Sequence, residues 1–172
     1  MKKLLVVVDM QNDFIDGALG TKEAQGIVKN VEEYIRESIE DNRDVVFTRD
    51  THYDNYLDTQ EGKRLPVPHC IKDTEGFQIC DSLKPFADAS RIFDKNPFGS
   101  LDLMEYVREE GYDDIQLVGL CTDICVISNA MLIKAALPEA DIAVVEKCMA
   151  GVTPDSHKNA IEAMKMCQIE VI

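Results

Sequence analysis

The sequence predicts an α/β fold, a mostly parallel six-stranded sheet with helices packed on both faces. Short, continuous apolar runs rich in Val and Ile recur six times along the chain, as strands buried on both faces require. Segments of helical period separate most of them, an order that favours parallel pairing through crossover helices. The length of 172 residues suits one compact domain, which can bury roughly 70% of the surface its unfolded chain exposes.

The first strand is read over residues 3–9, and residues 24–41 follow as a helix with Ile27, Val31, Tyr34, Ile35 and Ser38 on one stripe. Residues 44–50 form the second strand. A polar passage over about 51–89 comes next, broken by Pro66, Pro68 and Gly76. A connection of that length inside a compact domain points to function. Residues 91–95 are the third strand, and 100–111 a helix opened by Ser100 and closed by Gly111. The fourth strand, 114–120, runs into a helix over 122–137 that is apolar nearly all round. A strand over 141–147, a helix over 154–167 with Pro154 in its first turn, and a last strand over 168–172 complete the order.

Composition narrows the function. Lys plus Arg number 18 against 32 Asp plus Glu, a net charge of −14, and no basic stripe exists to neutralise phosphates. Nucleic acid and anionic membranes are therefore excluded as expected partners. The opening MKKLLVVVDM imitates a signal peptide, but Asp9 ends its apolar run, and no run approaches the roughly 18 apolar residues of a membrane span. A soluble, cytoplasmic protein is expected. Its six cysteines, at 70, 80, 121, 125, 148 and 167, should then be reduced, most of them as small core residues.

In parallel α/β sheets ligands bind at the carboxyl ends of the strands. Those ends carry Asp9, then Asp50 and His52, then Lys95, then the segment from Cys121 to Cys125. Taken singly each has an ordinary reading: the aspartates as turn or capping residues, the lysine as a solvated charge, the histidines as loop residues. Together on one sheet edge they suggest chemistry. Cys125 falls in the first turn of the helix read from 122, where the dipole and free N–H groups favour a thiolate and can bind an oxyanion. Lys95 would stabilise that thiolate, and Asp9 could take its proton. Asp50, His52 and the distant His69 can supply one carboxylate and two imidazoles to a divalent metal. His157 is taken as solvated. Two other classes stay open: a non-catalytic small-molecule binder, although no Gly-rich phosphate loop is present, and a thiol redox protein, although Cys121 and Cys125 are spaced C-x-x-x-C and not C-x-x-C.

Five stretches in fixed order, VVVDMQNDF (6–14), TRDTH (48–52), PHC (68–70), FDKNPFGS (93–100) and GLCTDICV (119–126), resemble the isochorismatase-like cysteine hydrolases, and among them most closely the nicotinamidases and related amidases. The resemblance implies a single domain over residues 1–172, a three-layer α/β/α sandwich, and a triad of Asp9, Lys95 and Cys125. It also implies a cis peptide bond between Leu120 and Cys121, with the backbone N–H groups of Cys121 and Cys125 forming the oxyanion hole. Asp50, His52 and His69 become metal ligands, with zinc favoured over iron or manganese. Phe14, Phe98 and Leu120 become substrate contacts, and a homo-oligomer is expected. The implied reaction is deamidation of a small carboxamide, nicotinamide first, with another small amide or ureido compound as the alternative. The sequence departs from the pattern in having no Trp, where nicotinamidases carry W-P-x-H-C and this chain has LPVPHC. It also lacks the further His that some members place after the Asp-x-His pair.

Overall fold

The structure is a computed structural model and describes residues 1–172. In chain order the elements are β1 (Lys3–Val8), α1 (Asn12–Ile15), α2 (Lys22–Glu40), β2 (Asp44–Asp50), a 3-10 turn (Tyr56–Asp58), α3 (Gln60–Arg64), α4 (Lys84–Asp88), β3 (Arg91–Lys95), α5 (Leu101–Glu110), β4 (Asp114–Leu120), a π turn (Thr122–Val126), α6 (Ile127–Ala136), β5 (Asp141–Ala150), α7 (Pro154–Met166) and β6 (Glu170–Val171). The six strands lie in the order β3-β2-β1-β4-β5-β6, with every adjacent pair parallel.

The apolar runs pack as a two-sided sheet demands. In β1, Leu4, Val6 and Val8 face a cluster built with Leu103 and Val107 of α5, Ala130 and Ile133 of α6, and Ile161 and Met164 of α7. Leu5 and Val7 face the opposite cluster, with Ala24, Ile27, Val31 and Ile35 of α2. That alternation explains why the strand reads as continuously apolar. No helix is long and apolar enough to cross a membrane.

Local boundaries follow capping chemistry. The Thr21 hydroxyl accepts from the Ala24 N–H and starts α2 at Lys22, two residues before the predicted start at 24. Ser100 accepts from the Leu103 N–H, and Gly111, at φ 65, closes α5 in the left-handed region. The two largest departures from the predicted boundaries lie around β4 and β5. The helix read from 122 is a π turn followed by α6, and β5 runs on to Ala150. A register shift between Leu117 and Gly119 lets Met149 and Ala150 pair with Gly119 and Leu120.

The chain builds outward from β1 through β2 to β3, then returns to lay β4 on the other side of β1, so β1 and β4 flank the point where strand order reverses. Their carboxyl ends deliver Asp9 and Cys121. At that seam Gly119 has φ 114, and a Cβ there would stand 2.1 Å from the Val8 carbonyl oxygen, a conformation and an approach open only to glycine. Gly119→Ala should therefore destabilise the fold by about 3 kcal/mol or more. Urea denaturation will measure it, and a loss below about 1 kcal/mol would show that the seam can relax.

Candidate active site

Asp9 follows β1 directly, with φ 48, a left-handed conformation that Asp tolerates better than most residues. Its surroundings hold it there: the Thr48 hydroxyl of β2 donates to Asp9 Oδ1 at 2.6 Å, and the Asp9 N–H donates to the Thr48 carbonyl at 3.2 Å. Lys95, the last residue of β3, brings Nζ to 2.7 Å from Asp9 Oδ2, 3.5 Å from Cys125 Sγ and 3.7 Å from Asp50 Oδ1. All three members of this cluster are at most 5% exposed.

Burial and neighbours set the protonation states. Burial opposes the charge on Lys95, but the Asp9 carboxylate, then Cys125 and Asp50, hold its pKa above the ordinary value, so it is a permanent cation. Burial pushes the Asp9 carboxyl up, and Asp50 adds to this, against the pull of Lys95. Burial, then Asp9, drive the Cys125 thiol well above its usual range, although Lys95 draws it down. This reverses the expectation of a thiolate favoured by a helix dipole. Cys125 lies in the π turn ahead of α6 and is only 5% exposed, so desolvation outweighs any help from the backbone. The resting nucleophile is a thiol that needs a base, and Asp9 is a carboxylate made more basic beside it.

The turn carrying Cys125 is tightly held. The Leu120–Cys121 peptide bond is cis, and the Ile124 and Val126 N–H groups both donate to the Cys121 carbonyl at 3.1 Å. Buried Asn129 of α6 donates to the Cys125 carbonyl at 2.8 Å and accepts from the Ser100 N–H at 2.9 Å, tying the turn to the start of α5.

A second cluster lies beside the first. His52 Nε2 is 2.8 Å from Asp50 Oδ2, and His69 Nε2 is 3.4 Å from the same oxygen. Glu61 Oε1 stands 3.7 and 3.6 Å from the two imidazoles. One ligand atom from each of the four residues lies within 4.8 Å of the others. Burial would raise the Asp50 carboxyl, but hydrogen bonds from His52 and His69 and the charge of Lys95 bring it down to about 2. His69 Nδ1 donates to the Val67 carbonyl at 2.7 Å. A carbonyl can only accept, so Nδ1 keeps its proton and Nε2 turns toward two carboxylates. Protonated at both nitrogens, the ring donates to Asp50 through Nε2, which raises its pKa against burial; neutral, it aims a lone pair at carboxylate oxygens, which is repulsive unless a cation sits among them. The donor set, two imidazoles and two carboxylates, fits a divalent metal ion.

The motif VVVDMQNDF holds these clusters in register. The Gln11 side chain donates to the Asp50 and Phe77 carbonyls at 2.8 and 2.9 Å and accepts from the Asp50 N–H at 2.7 Å. Asp13 Oδ2 accepts from the Cys70 N–H at 2.8 Å, next to His69. One short segment after β1 thus anchors the start and the middle of the long polar passage.

Both clusters open on a cavity of about 490 Å³, with Cys125, Cys121 and all four prospective metal ligands in its lining and Phe14, Leu19, Leu65, Phe98 and Ile124 among its apolar walls. Asp9 and Lys95 lie behind Cys125, outside that lining.

A family model described as "Isochorismatase domain" matches residues 3–172. The chain belongs to the isochorismatase family. The nicotinamidase/pyrazinamidase of Mycobacterium tuberculosis is 27% identical over 186 residues, covering 99% of this chain and 98% of that protein. Among solved structures, the zinc complex of Pyrococcus horikoshii pyrazinamidase superposes with a TM-score of 0.84 at 27% identity, covering 100% of this chain and 99% of the other. The N-carbamoylsarcosine amidase of Thermoplasma acidophilum superposes with a TM-score of 0.80 at 28% identity, covering 99% and 95%.

In this isochorismatase-family chain the structure gathers Asp9, Lys95 and Cys125 into one cluster and Asp50, His52 and His69 into the other. Phe14 and Phe98 line the cavity, Phe14 with its ring 5.5 Å from that of His69. Leu120 does not. It is 1% exposed and packs with Leu5, Val7 and α2 on the far face of the sheet, so it is withdrawn as a substrate contact. His157, expected to be solvated, has a side chain only 17% exposed, with Nδ1 2.7 Å from the Thr122 hydroxyl. Sequence reasoning missed Glu61. The available signal was its place in the first turn of α3, nine residues beyond His52 and just after the Thr59 cap that fixes that helix.

Proposed function

We propose that the chain is a metal-assisted cysteine amidohydrolase that converts nicotinamide to nicotinate and ammonia through a thioester on Cys125. The observation that carries this reading is one cavity holding the thiol, backed by Asp9 and Lys95, together with the Asp50, His52, Glu61 and His69 cluster in its wall. Relatives named nicotinamidase support the substrate.

In the proposed sequence, Asp9 takes the thiol proton as Sγ attacks the carboxamide carbon. The N–H groups of Cys121 and Cys125 hold the oxyanion. Asp9 returns the proton to the departing nitrogen, which leaves as ammonia, and then deprotonates the water that cleaves the thioester to acid and thiol. Lys95 stays protonated, offsetting charge on the sulfur and on Asp9. A divalent ion held by Asp50, His52, Glu61 and His69, zinc in the first instance, would supply a Lewis-acidic anchor for the substrate's polar ring atom. Phe14 and Phe98 would flank the ring.

A second reading, hydrolysis of another small amide or ureido compound, is favoured by the walls. Leu19, Leu65 and Ile124 line the cavity, and no indole is present anywhere in the chain. An ammonia-release assay over nicotinamide, pyrazinamide, aliphatic amides and N-carbamoyl compounds, with and without chelator, separates the two. Turnover of nicotinamide that chelator removes and zinc restores is expected. Turnover confined to aliphatic or ureido substrates would replace the first reading with the second.

A further inference from the structure

We infer that His157 is a positioning residue for the hydrolysis, acting through Thr122 on the turn that presents Cys121 and Cys125. The inference rests on the hydrolase reading above. Thr122 opens the π turn directly after Cys121 and is fully buried. Its hydroxyl has one partner, His157 Nδ1 at 2.7 Å. The other ring nitrogen of His157 faces Glu146 of β5, with Nε2 3.9 Å from Oε1. With the proton on Nε2, toward that carboxylate, Nδ1 presents a lone pair that accepts the Thr122 hydroxyl proton.

The next residue of the turn is tied to the same neighbourhood. Both carboxylate oxygens of Asp123 accept from the Val152 N–H, at 3.1 and 3.3 Å. Gly151 allows this docking: a Cβ there would meet His157 Cβ at 2.8 Å and its Cα at 2.9 Å. The start of α7, set by the Thr153 and Ser156 capping box, is therefore pressed onto the turn and pinned at two consecutive residues. Asn129 fixes the opposite end.

The chemical consequence follows from the geometry an oxyanion hole demands. Two N–H groups must converge on one oxygen, and a misplacement of 1 Å can cost about 100-fold in rate. His157 does not line the cavity, so it cannot contribute to ground-state binding by contact. Its loss should appear in kcat and leave KM nearly unchanged.

The test compares His157→Ala, His157→Asn and Thr122→Val. Asn can place a hydrogen-bonding atom near the position of Nδ1, and Val deletes only the hydroxyl. His157→Ala and Thr122→Val should lower kcat by about 10- to 100-fold with KM within about twofold, and His157→Asn should recover most of the loss. Amide hydrogen exchange over residues 121–126, with no substrate present, should be faster in the first two variants and near wild type in the third. Unchanged exchange in both His157→Ala and Thr122→Val would overturn the brace, as would an unchanged kcat. If His157→Ala does not fold, Thr122→Val and His157→Asn decide. If the wild type hydrolyses no amide, the hydrolase reading falls and the exchange data alone judge the brace.

Discussion

Cys125→Ala should abolish ammonia release, lowering kcat by about 10⁴-fold or more, because the nucleophile of a covalent mechanism has no substitute. The fold should survive, since the change removes one buried sulfur beside a sheet that keeps both of its apolar clusters. Asp9→Asn should be as damaging to activity for a different reason. The thiol is held well above its usual pKa by burial and by Asp9 itself, so without the carboxylate no group in contact can take its proton. That variant should also be less stable, by about 2 to 3 kcal/mol, because the buried Lys95 would lose its 2.7 Å partner and keep only the longer pairing with Asp50 at 3.7 Å. Cys121→Ala, by contrast, should keep activity within about threefold, as only its backbone N–H is proposed to act. Ammonia assays and thermal melts on the three variants separate these outcomes. Turnover persisting in Cys125→Ala would end the thioester scheme.

The sheet was legible because its signal is chemical and local. Leu4 to Val8 read as a strand buried on both faces, and the two clusters they enter show why no polar residue interrupts them. Thr21, Ser100 and Gly111 sit at helix ends where capping needs them. Less legible was whatever depends on partners far away in the chain. Nothing near Cys148 announces that β5 continues to Ala150; the pairing comes from Gly119 and Leu120 after a register shift. The π turn is likewise invisible in a segment that reads as the first turn of an apolar helix.

The site was legible in kind and incomplete in detail. Strand-end position pointed to Asp9, Asp50, Lys95 and Cys121 because a parallel sheet sends all its carboxyl ends to one edge. The resemblance placed Leu120 among the substrate contacts, but a motif position does not say which face a side chain takes, and this one packs into the apolar cluster. Burial was the other gap. An exposed helix start would favour a thiolate, but at 5% exposure burial pushes the Cys125 thiol well above its ordinary range, and only packing reveals that. Glu61 was overlooked and His157 read as solvated because their partners, His52 with His69 and Thr122, are brought to them by the fold and not by spacing.

Removing the metal ion should have the second large effect, and its measurement need not involve turnover. Two carboxylates and two imidazole nitrogens converge in a mostly buried pocket, with the Nε2 of His69 left for a cation by the bond from Nδ1 to Val67. Zinc that binds only the folded chain must raise its stability, by about 2.7 kcal/mol at a hundredfold excess over Kd. The melting temperature of the wild type should therefore fall on chelation and recover with zinc, while that of His69→Ala should respond to neither. Metal analysis should find about one zinc per wild-type chain after reconstitution and much less in His69→Ala, since three donors hold zinc more weakly than four. Glu61→Gln should fall between them, because it removes a charge while leaving an oxygen in place. If turnover on nicotinamide depends on the ion as proposed, chelated wild type and His69→Ala should lose activity together. A wild type that binds no zinc and melts at the same temperature with or without chelator would make the cluster a network of protonated imidazoles paired with Asp50 and Glu61, and the substrate anchor would have to be sought among the other groups lining the cavity.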